Sequence, residues 1–193
     1  MQHHYQDLIS LFQHVFFKQY NTCLIKGEGE PLYLPASESC NHHQVIFAHG
    51  YYASALHEIA HWCQAGKERR LLVDFGYWYI PDGRNEQQQK KFEQVEVIPQ
   101  AIEWAFNVAV QKKFHTSSDN LSGYQGDSNG FKAKVYQQVL NFVEKGFPPR
   151  AEQFIKVLAN FYQTAYPLSP DQFSDSDECR SEDNREMLDK EIL

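Results

Sequence analysis

Residues 53–64 read ASALHEIAHWCQ, a run that carries no charge apart from Glu58 and two histidines. It contains neither proline nor glycine, and Gly66 follows it, so the sequence predicts a helix over residues 53–64. Helical residues four positions apart lie on one face. We therefore expect His57 and His61 to direct their imidazoles to a common point.

The pattern His-Glu-x-x-His indicates a bound transition metal. Two imidazoles on one helix face hold Zn²⁺ in metallohydrolases, where the intervening glutamate acts as general base. The sequence thus predicts His57 and His61 as metal ligands and Glu58 as a catalytic residue. The alternative is two unrelated histidines on one helix face, since the pattern arises by chance in roughly 3% of chains of this composition.

A third protein ligand is expected from residues 92–104, which read FEQVEVIPQAIEW. If this segment is helical, Glu96, Gln100 and Glu103 share one face, and Glu93 lies a turn before Glu96. Either glutamate would complete a set of two histidines and one carboxylate. Glu96 is the first choice because it precedes a helix with an apolar face, and Glu93 is the second.

Five further residues are weaker candidates for substrate binding or for support of the metal ligands: His49, Asp74, Tyr77, Tyr79 and Arg84. His49 follows a predicted strand near the metal helix. Asp74 lies in an apolar run, and a buried carboxylate needs a partner, either a site histidine or Arg84. The two tyrosines are candidates for the wall of a cleft, where aromatic rings pack on methylenes or face an ammonium group. Core packing is the alternative for the tyrosines.

The hydrophobic pattern along the rest of the chain predicts an α+β fold. We expect a mostly helical single domain with a small β-sheet and a zincin-like helix that carries HExxH. Further helices are predicted near residues 5–20, 86–113, 131–144 and 152–164, and strands near 23–25, 31–35, 45–48 and 71–80. Pro99 must either start a new helix or kink a continuous one. We expect a folded domain over residues 1–167 and a disordered acidic tail over residues 168–193.

Composition limits the possible functions. The chain has 193 residues, 42% of them hydrophobic, which is enough for a core in one domain. Residues 171–193 carry nine acidic and three basic side chains, so most of the net charge of −7 belongs to the tail, and no nucleic-acid partner is indicated. The four cysteines form no CxxC pair and are expected to be reduced thiols. We predict a cytoplasmic protein without a secretory signal or membrane span.

The identity of the metal ligands does not determine which reaction the site catalyses. Two histidines and a carboxylate occur both in zinc hydrolases and in the facial triad of non-haem Fe(II) oxygenases. A zinc-dependent peptidase or amidase would use Glu58 to take a proton from bound water. An oxygenase would use Glu58 to position substrate or to transfer protons. The HExxH pattern alone favours the hydrolase.

Several longer blocks resemble the bacterial elongation factor P hydroxylase family. The most extensive is FAHGYYASALHEIAHWC at residues 47–63. The others are VDFGYWY at 73–79, PDGR at 81–84, FEQVEV at 92–97, PQA at 99–101, LIKG at 24–27, YLP at 33–35 and DNL at 119–121. The resemblance covers about residues 5–165, leaves out the acidic tail, and is far more specific than HExxH.

This resemblance implies a monooxygenase that hydroxylates a lysine of elongation factor P after that lysine has received a β-lysyl group. It also implies that His57, His61 and Glu96 hold a divalent transition metal, Fe(II), and that O₂ is the co-substrate. Elongation factor P is then the protein partner, and a monomer is expected. No arginine pattern indicates a 2-oxo acid, so the reductant is left open.

Overall fold

The structure is a computed structural model, and it describes residues 2–74, 82–118, 120–124 and 126–173. Five helices and three strands make up the described part of the chain. They are α1 (Tyr5–Tyr20), β1 (Thr22–Lys26), β2 (Leu32–Leu34), β3 (His43–Phe47), α2 (Tyr52–Gln64), α3 (Glu86–Ala109), α4 (Ser128–Lys145) and α5 (Pro149–Tyr162). Short 3₁₀ turns occur at Arg69–Leu71 and Pro170–Phe173. The predicted α+β class is confirmed.

The small sheet lies beside α2, the helix that carries His57 and His61. Its strand order is β1-β3-β2, with β1 parallel and β2 antiparallel to the central strand. A turn in which His49 and Gly50 both adopt left-handed backbone angles (φ 50° and 78°) leads from β3 into α2. This turn places the start of α2 against the sheet, and α2 also contacts α1, α3 and α5.

An aromatic cluster fixes the buried side of α2. The Trp62 ring lies 5.0 Å from the Phe12 ring and 4.8 Å from the Phe16 ring, both on α1. Phe154 of α5 packs on the same two phenylalanines. Because these rings are nearly or fully buried, the hydrophobic effect fixes the orientation of α2 about its own axis. The opposite side of α2 is thereby turned toward α3 and the sheet edge.

Helix α3 carries the second half of the site. It begins with a capping box, in which the Asn85 side chain accepts from the Gln88 backbone N–H and the Gln88 side chain accepts from that of Asn85. Pro99 lies inside the helix without ending it, so of the two expected outcomes the continuous helix is the one observed. The face of α3 that follows, with Ile102 and Phe106, is fully buried.

One predicted strand needs correction. Residues 71–73 do not form the predicted strand: Arg69–Leu71 is a 3₁₀ turn, and only Asp74 bridges to Tyr33 of β2. Their apolar side chains are largely exposed, so hydrophobicity there did not signal a buried strand. Residues 75–80 lie outside the described residues.

The expected domain boundary at residue 168 stays a prediction. Leu168 and Phe173 are buried in the core, so packing continues at least to Phe173. Most of the predicted tail, residues 174–193, lies outside the described part of the chain.

Two simpler expectations concern cysteines and membrane spans. Cys23, Cys40 and Cys63 are free thiols, as expected, and Cys179 lies beyond the described residues. No helix in the described ranges combines the length and apolar character needed to cross a bilayer.

Candidate metal centre

Helix α2 supplies two imidazoles from one face. His57 and His61 are partly exposed, with 26% and 19% of their side-chain surface accessible, whereas Ile59 and Ala60 between them are fully buried. The two Nε2 atoms lie 3.0 Å apart. The helix therefore presents the two nitrogen atoms side by side, as the spacing predicted.

Helix α3 brings a carboxylate to the same point. Glu96 has only 5% of its side chain exposed. Its Oε1 lies 3.2 Å from Nε2 of His61, and its Oε2 lies 3.7 Å from Nε2 of His57. Two ligands that bind one ion at about 2.1 Å are roughly 3.0–3.4 Å apart when they subtend 90–109° at the metal. The donor atoms of His57, His61 and Glu96 are therefore close to the spacing that a shared metal ion requires.

A second carboxylate of α3 fixes the orientation of one histidine. Oε2 of Glu103 accepts a hydrogen bond of 2.8 Å from Nδ1 of His57. A neutral imidazole carries a proton on only one nitrogen, so once the His57 ring has lost its second proton this bond keeps the remaining one on Nδ1 and leaves the Nε2 lone pair to face an ion. Burial alone would lower the pKa of His57, but Glu103, and after it Glu96, raise it to about 10.

Gln100 holds the Glu96 carboxylate in place. Its amide nitrogen donates to Oε2 of Glu96 at 3.3 Å and to the backbone carbonyl of Ser117 at 2.7 Å. Its amide oxygen accepts from the Ser117 backbone N–H at 3.1 Å. Burial would raise the pKa of Glu96, yet His61, His57 and the Gln100 bond lower it to about 2. The Glu96 carboxylate is therefore kept ionised, as a metal ligand must be.

Glu58 faces a cleft instead of the ligand set. The cleft is lined by Leu32, Tyr33, Val45, Glu58, His61, Trp62, Ala65, Arg69, Arg70 and Asp74. It opens onto the ligand set at His61. Burial raises the pKa of Glu58, while the neighbouring histidines oppose that shift. The arrangement places an ionisable group beside the metal position.

Other predicted site residues lie elsewhere. Glu93, the second choice for the carboxylate ligand, accepts a hydrogen bond from Gln89 at 3.3 Å and is not part of the three-residue cluster. His49 is exposed in the turn before α2. Tyr77 and Tyr79 lie outside the described residues.

Arg84 and Asp74 have different partners from those expected. Asp74 lines the cleft but pairs with Arg69, whose Nε lies 2.6 Å from its carboxylate, so the predicted partners, a site histidine or Arg84, are wrong. Arg84 is 1% exposed and donates to Gln89 and to the Ser118 carbonyl. Arg84 therefore joins the start of α3 to the loop that follows the helix, and it does not line the cleft.

Sequence reasoning missed what Glu103 and Gln100 do. Both were placed on the same face of α3 as Glu96, which was the available signal, but no partner was assigned to either. Their contacts complete a common design, in which a metal-binding side chain is itself held by a hydrogen bond from behind. The site thus comprises a ligand set and a supporting layer.

Comparison with known proteins agrees with this geometry. Residues 11–173 match the family described as elongation factor P hydroxylase. A protein of Haemophilus influenzae named elongation factor P lysine hydroxylase is 52% identical over 164 residues, which cover 85% of this chain and 92% of that protein. The match includes every element that builds the candidate metal centre. The chain belongs to the elongation factor P hydroxylase family.

Proposed function

We propose that this chain is a metal-dependent monooxygenase that hydroxylates a lysine of elongation factor P. The observation that carries the proposal is the convergence of three donor atoms, one from each of His57, His61 and Glu96, at the end of a cleft. Family membership supports the reaction, since the matched relative is named for hydroxylation of that lysine. Following the resemblance, the substrate is the lysine in its β-lysylated form.

The donor set fits a non-haem Fe(II) site. Two imidazole nitrogens and one carboxylate oxygen on one side of an ion form a facial triad, which leaves positions open on the other side. When bound, Fe(II) would activate O₂ for insertion of one oxygen atom into a carbon–hydrogen bond. His57, His61 and Glu96 would hold the metal, with Glu103 and Gln100 fixing the first and the last of these ligands.

The reaction balance defines what else must be supplied. One oxygen atom of O₂ enters the lysine side chain, and the other leaves as water after two electrons and two protons have been delivered. An external reductant provides the electrons. Glu58 is the carboxylate placed to position the substrate or to transfer a proton, because it lines the cleft beside His61. We also propose that the enzyme acts as a cytoplasmic monomer, with the acidic residues 174–193 outside the catalytic domain.

The direct test combines metal analysis with the mass of the substrate. We expect protein purified without oxygen to contain about one iron per chain. We also expect elongation factor P from cells that carry the active enzyme to gain the mass of one oxygen atom. His57→Ala and Glu96→Ala should abolish both the iron and the mass gain. Glu93→Ala is the matched control on the same helix and should keep both. A hydroxylated product in cells that carry either ligand variant would contradict the assignment.

The same samples test the competing zinc-dependent peptidase or amidase, which the HExxH helix alone would favour. That enzyme would contain zinc, would cleave a peptide bond without O₂, and would lose this activity in the Glu58→Gln variant. Elongation factor P that stays full-length and gains the mass of one oxygen atom only when O₂ is present excludes cleavage. Zinc-dependent cleavage without that mass gain would overturn the monooxygenase.

A further inference from the structure

The cleft beside the metal position has apolar walls and several charged groups. Leu32 and Val45 from the sheet and Trp62 from α2 supply the apolar part of its lining. Val45 and Trp62 are almost fully buried, so they offer only their cleft-facing edges to a ligand. Such walls suit a flexible chain of methylene groups, which gains free energy when it leaves water.

Most charges around the cleft are already paired. Asp74 is neutralised by Arg69 at 2.6 Å. Arg70 donates to the carbonyl of Ala65 at the end of α2 and lies against the Tyr20 ring. The Arg69–Asp74 pair therefore adds little net charge, whereas Arg70 keeps a positive charge that its neutral partners and the C-terminal end of α2 offset only in part.

The carboxylates of α3 are also occupied. Glu103 accepts from Nδ1 of His57, and Glu96 lies against Nε2 of both histidines and accepts from Gln100. Glu96 belongs to the candidate ligand set, and Glu103 lies behind His57, at its Nδ1. They are not among the residues that line the cleft.

Glu58 differs from all of these acids. None of the hydrogen bonds or ion pairs within the described ranges of the chain involves its carboxylate, and yet the residue lines the cleft next to His61. A carboxylate in a half-buried position is costly unless something compensates its charge, and the nearby His57 and His61 do so only in part. A cationic ligand group in the cleft would add to that compensation.

We infer that the cleft binds the side chain of the target lysine and that Glu58 is the counter-charge for a side-chain ammonium group. This inference rests on the proposed function. The lysyl methylenes lie along the apolar walls, and the ammonium group meets the one cleft-lining carboxylate that has no partner among the described residues. Glu58 is thereby a substrate-binding residue that selects an amine-bearing side chain, and it positions the reacting carbon at the metal.

The test measures binding without turnover. Iron-loaded full-length protein is titrated, in the absence of oxygen, with a peptide that copies the sequence around the target lysine of elongation factor P. The peptide is used in two forms, with the side-chain amines of that lysine free or acetylated. We expect Glu58→Gln to weaken binding of the free-amine peptide by about 10-fold, the lower end of what a hydrogen bond between charged groups contributes. It should leave binding of the acetylated peptide within about 2-fold.

The double variant Arg69→Gln, Asp74→Asn is the matched control, because it makes the same chemical change to the other cleft carboxylate and removes the charge of its partner with it. It should weaken binding of both peptide forms equally or of neither, since the Arg69–Asp74 pair carries no net charge. Iron content and thermal unfolding of both variants verify that the ligand set and the fold persist. A 10-fold selective loss in the double variant, or an equal effect of Glu58→Gln on both peptides, would overturn the assignment of Glu58.

Failure of the proposed function would look different from failure of this inference. If the unmutated iron-loaded protein binds neither peptide form and hydroxylates no elongation factor P, the proposed function fails. If it binds and hydroxylates, but Glu58→Gln does not change its preference for the free amine, only the role of Glu58 fails.

Discussion

Replacement of Glu103 gives the sharpest test of the supporting layer around the metal centre. Its Oε2 accepts a 2.8 Å hydrogen bond from Nδ1 of His57, and only 13% of its side chain is exposed. A hydrogen bond to a charged partner in such a place contributes about 1.5–3 kcal/mol. Without it, the His57 ring loses both the group that fixes its rotation and the negative charge that raises its basicity.

The expected loss follows from these numbers. About 1.5–3 kcal/mol corresponds to a roughly 10- to 100-fold weaker affinity for the metal. Glu103→Gln keeps an acceptor of similar shape and should lie near the 10-fold end. Glu103→Ala leaves Nδ1–H of His57 without this partner and should lie near the 100-fold end. Competition with a coloured chelator, performed anaerobically with Fe(II), measures both affinities.

Glu93→Gln is the matched control for this experiment. Glu93 is on the same helix and 9% exposed, but it accepts a hydrogen bond from Gln89 and is not part of the cluster of His57, His61 and Glu96. We expect its metal affinity to stay within about 2-fold of the unmutated protein, because it contacts no ligand. Equal losses in Glu103→Gln and Glu93→Gln would refute the role of Glu103, because they would indicate a general effect of removing charge from α3.

Two further predictions concern pH and stability. Burial lowers the pKa of His57 but Glu103 and Glu96 raise it to about 10, so in metal-free protein the ring is protonated at neutral pH and an entering ion must displace that proton. Metal affinity should therefore rise by up to about 10-fold per pH unit between about pH 6 and 8, and a flat titration would contradict this competition. Arg84→Met should lower the free energy of unfolding by about 3 kcal/mol in urea denaturation, because Arg84 is 1% exposed and its loss removes the donor to Oε1 of Gln89 and one of the two donors to the Ser118 carbonyl. An effect below about 1 kcal/mol would show that these bonds are replaced by water.

The histidine pair could be predicted because its geometry is local. His57 and His61 belong to one helix, and the period of a helix alone brings residues four apart to one face. No contact with the rest of the chain is needed to predict their relative direction. The observed Nε2–Nε2 distance of 3.0 Å follows from that period together with ordinary rotamers.

The choice between Glu93 and Glu96 depended on packing and could only be ranked. Residues three apart in a helix differ by about 60° in direction, so a modest rotation of α3 exchanges which carboxylate faces α2. Burial of Ile102 and Phe106 sets that rotation. The apolar face of α3 had favoured Glu96, and the structure places Glu96 against the two histidines.

The partners of the charged side chains Asp74 and Arg84 had no usable signal in the sequence. Arg69 rather than Arg84 pairs with Asp74, because the chain turns through a 3₁₀ turn after residue 68 and brings Arg69 back toward Asp74. Arg84 is instead held by the loop that follows α3. A charged residue in an apolar stretch of sequence indicates that it needs a partner, but which residue becomes that partner depends on how the chain folds around it.

The role of Glu58 is set by the ligand that enters the cleft and not by the spacing of the motif. A peptide carbonyl at a metal-bound water requires a base, and the carboxylate of an HExxH helix then takes a proton. A lysyl side chain would bring a positive charge into a cleft where Asp74 is already paired with Arg69, and the Glu58 carboxylate would then serve as its counter-charge. The two roles predict different kinetics for Glu58→Gln: loss of a base lowers turnover at saturating substrate, whereas loss of a counter-charge weakens substrate binding first.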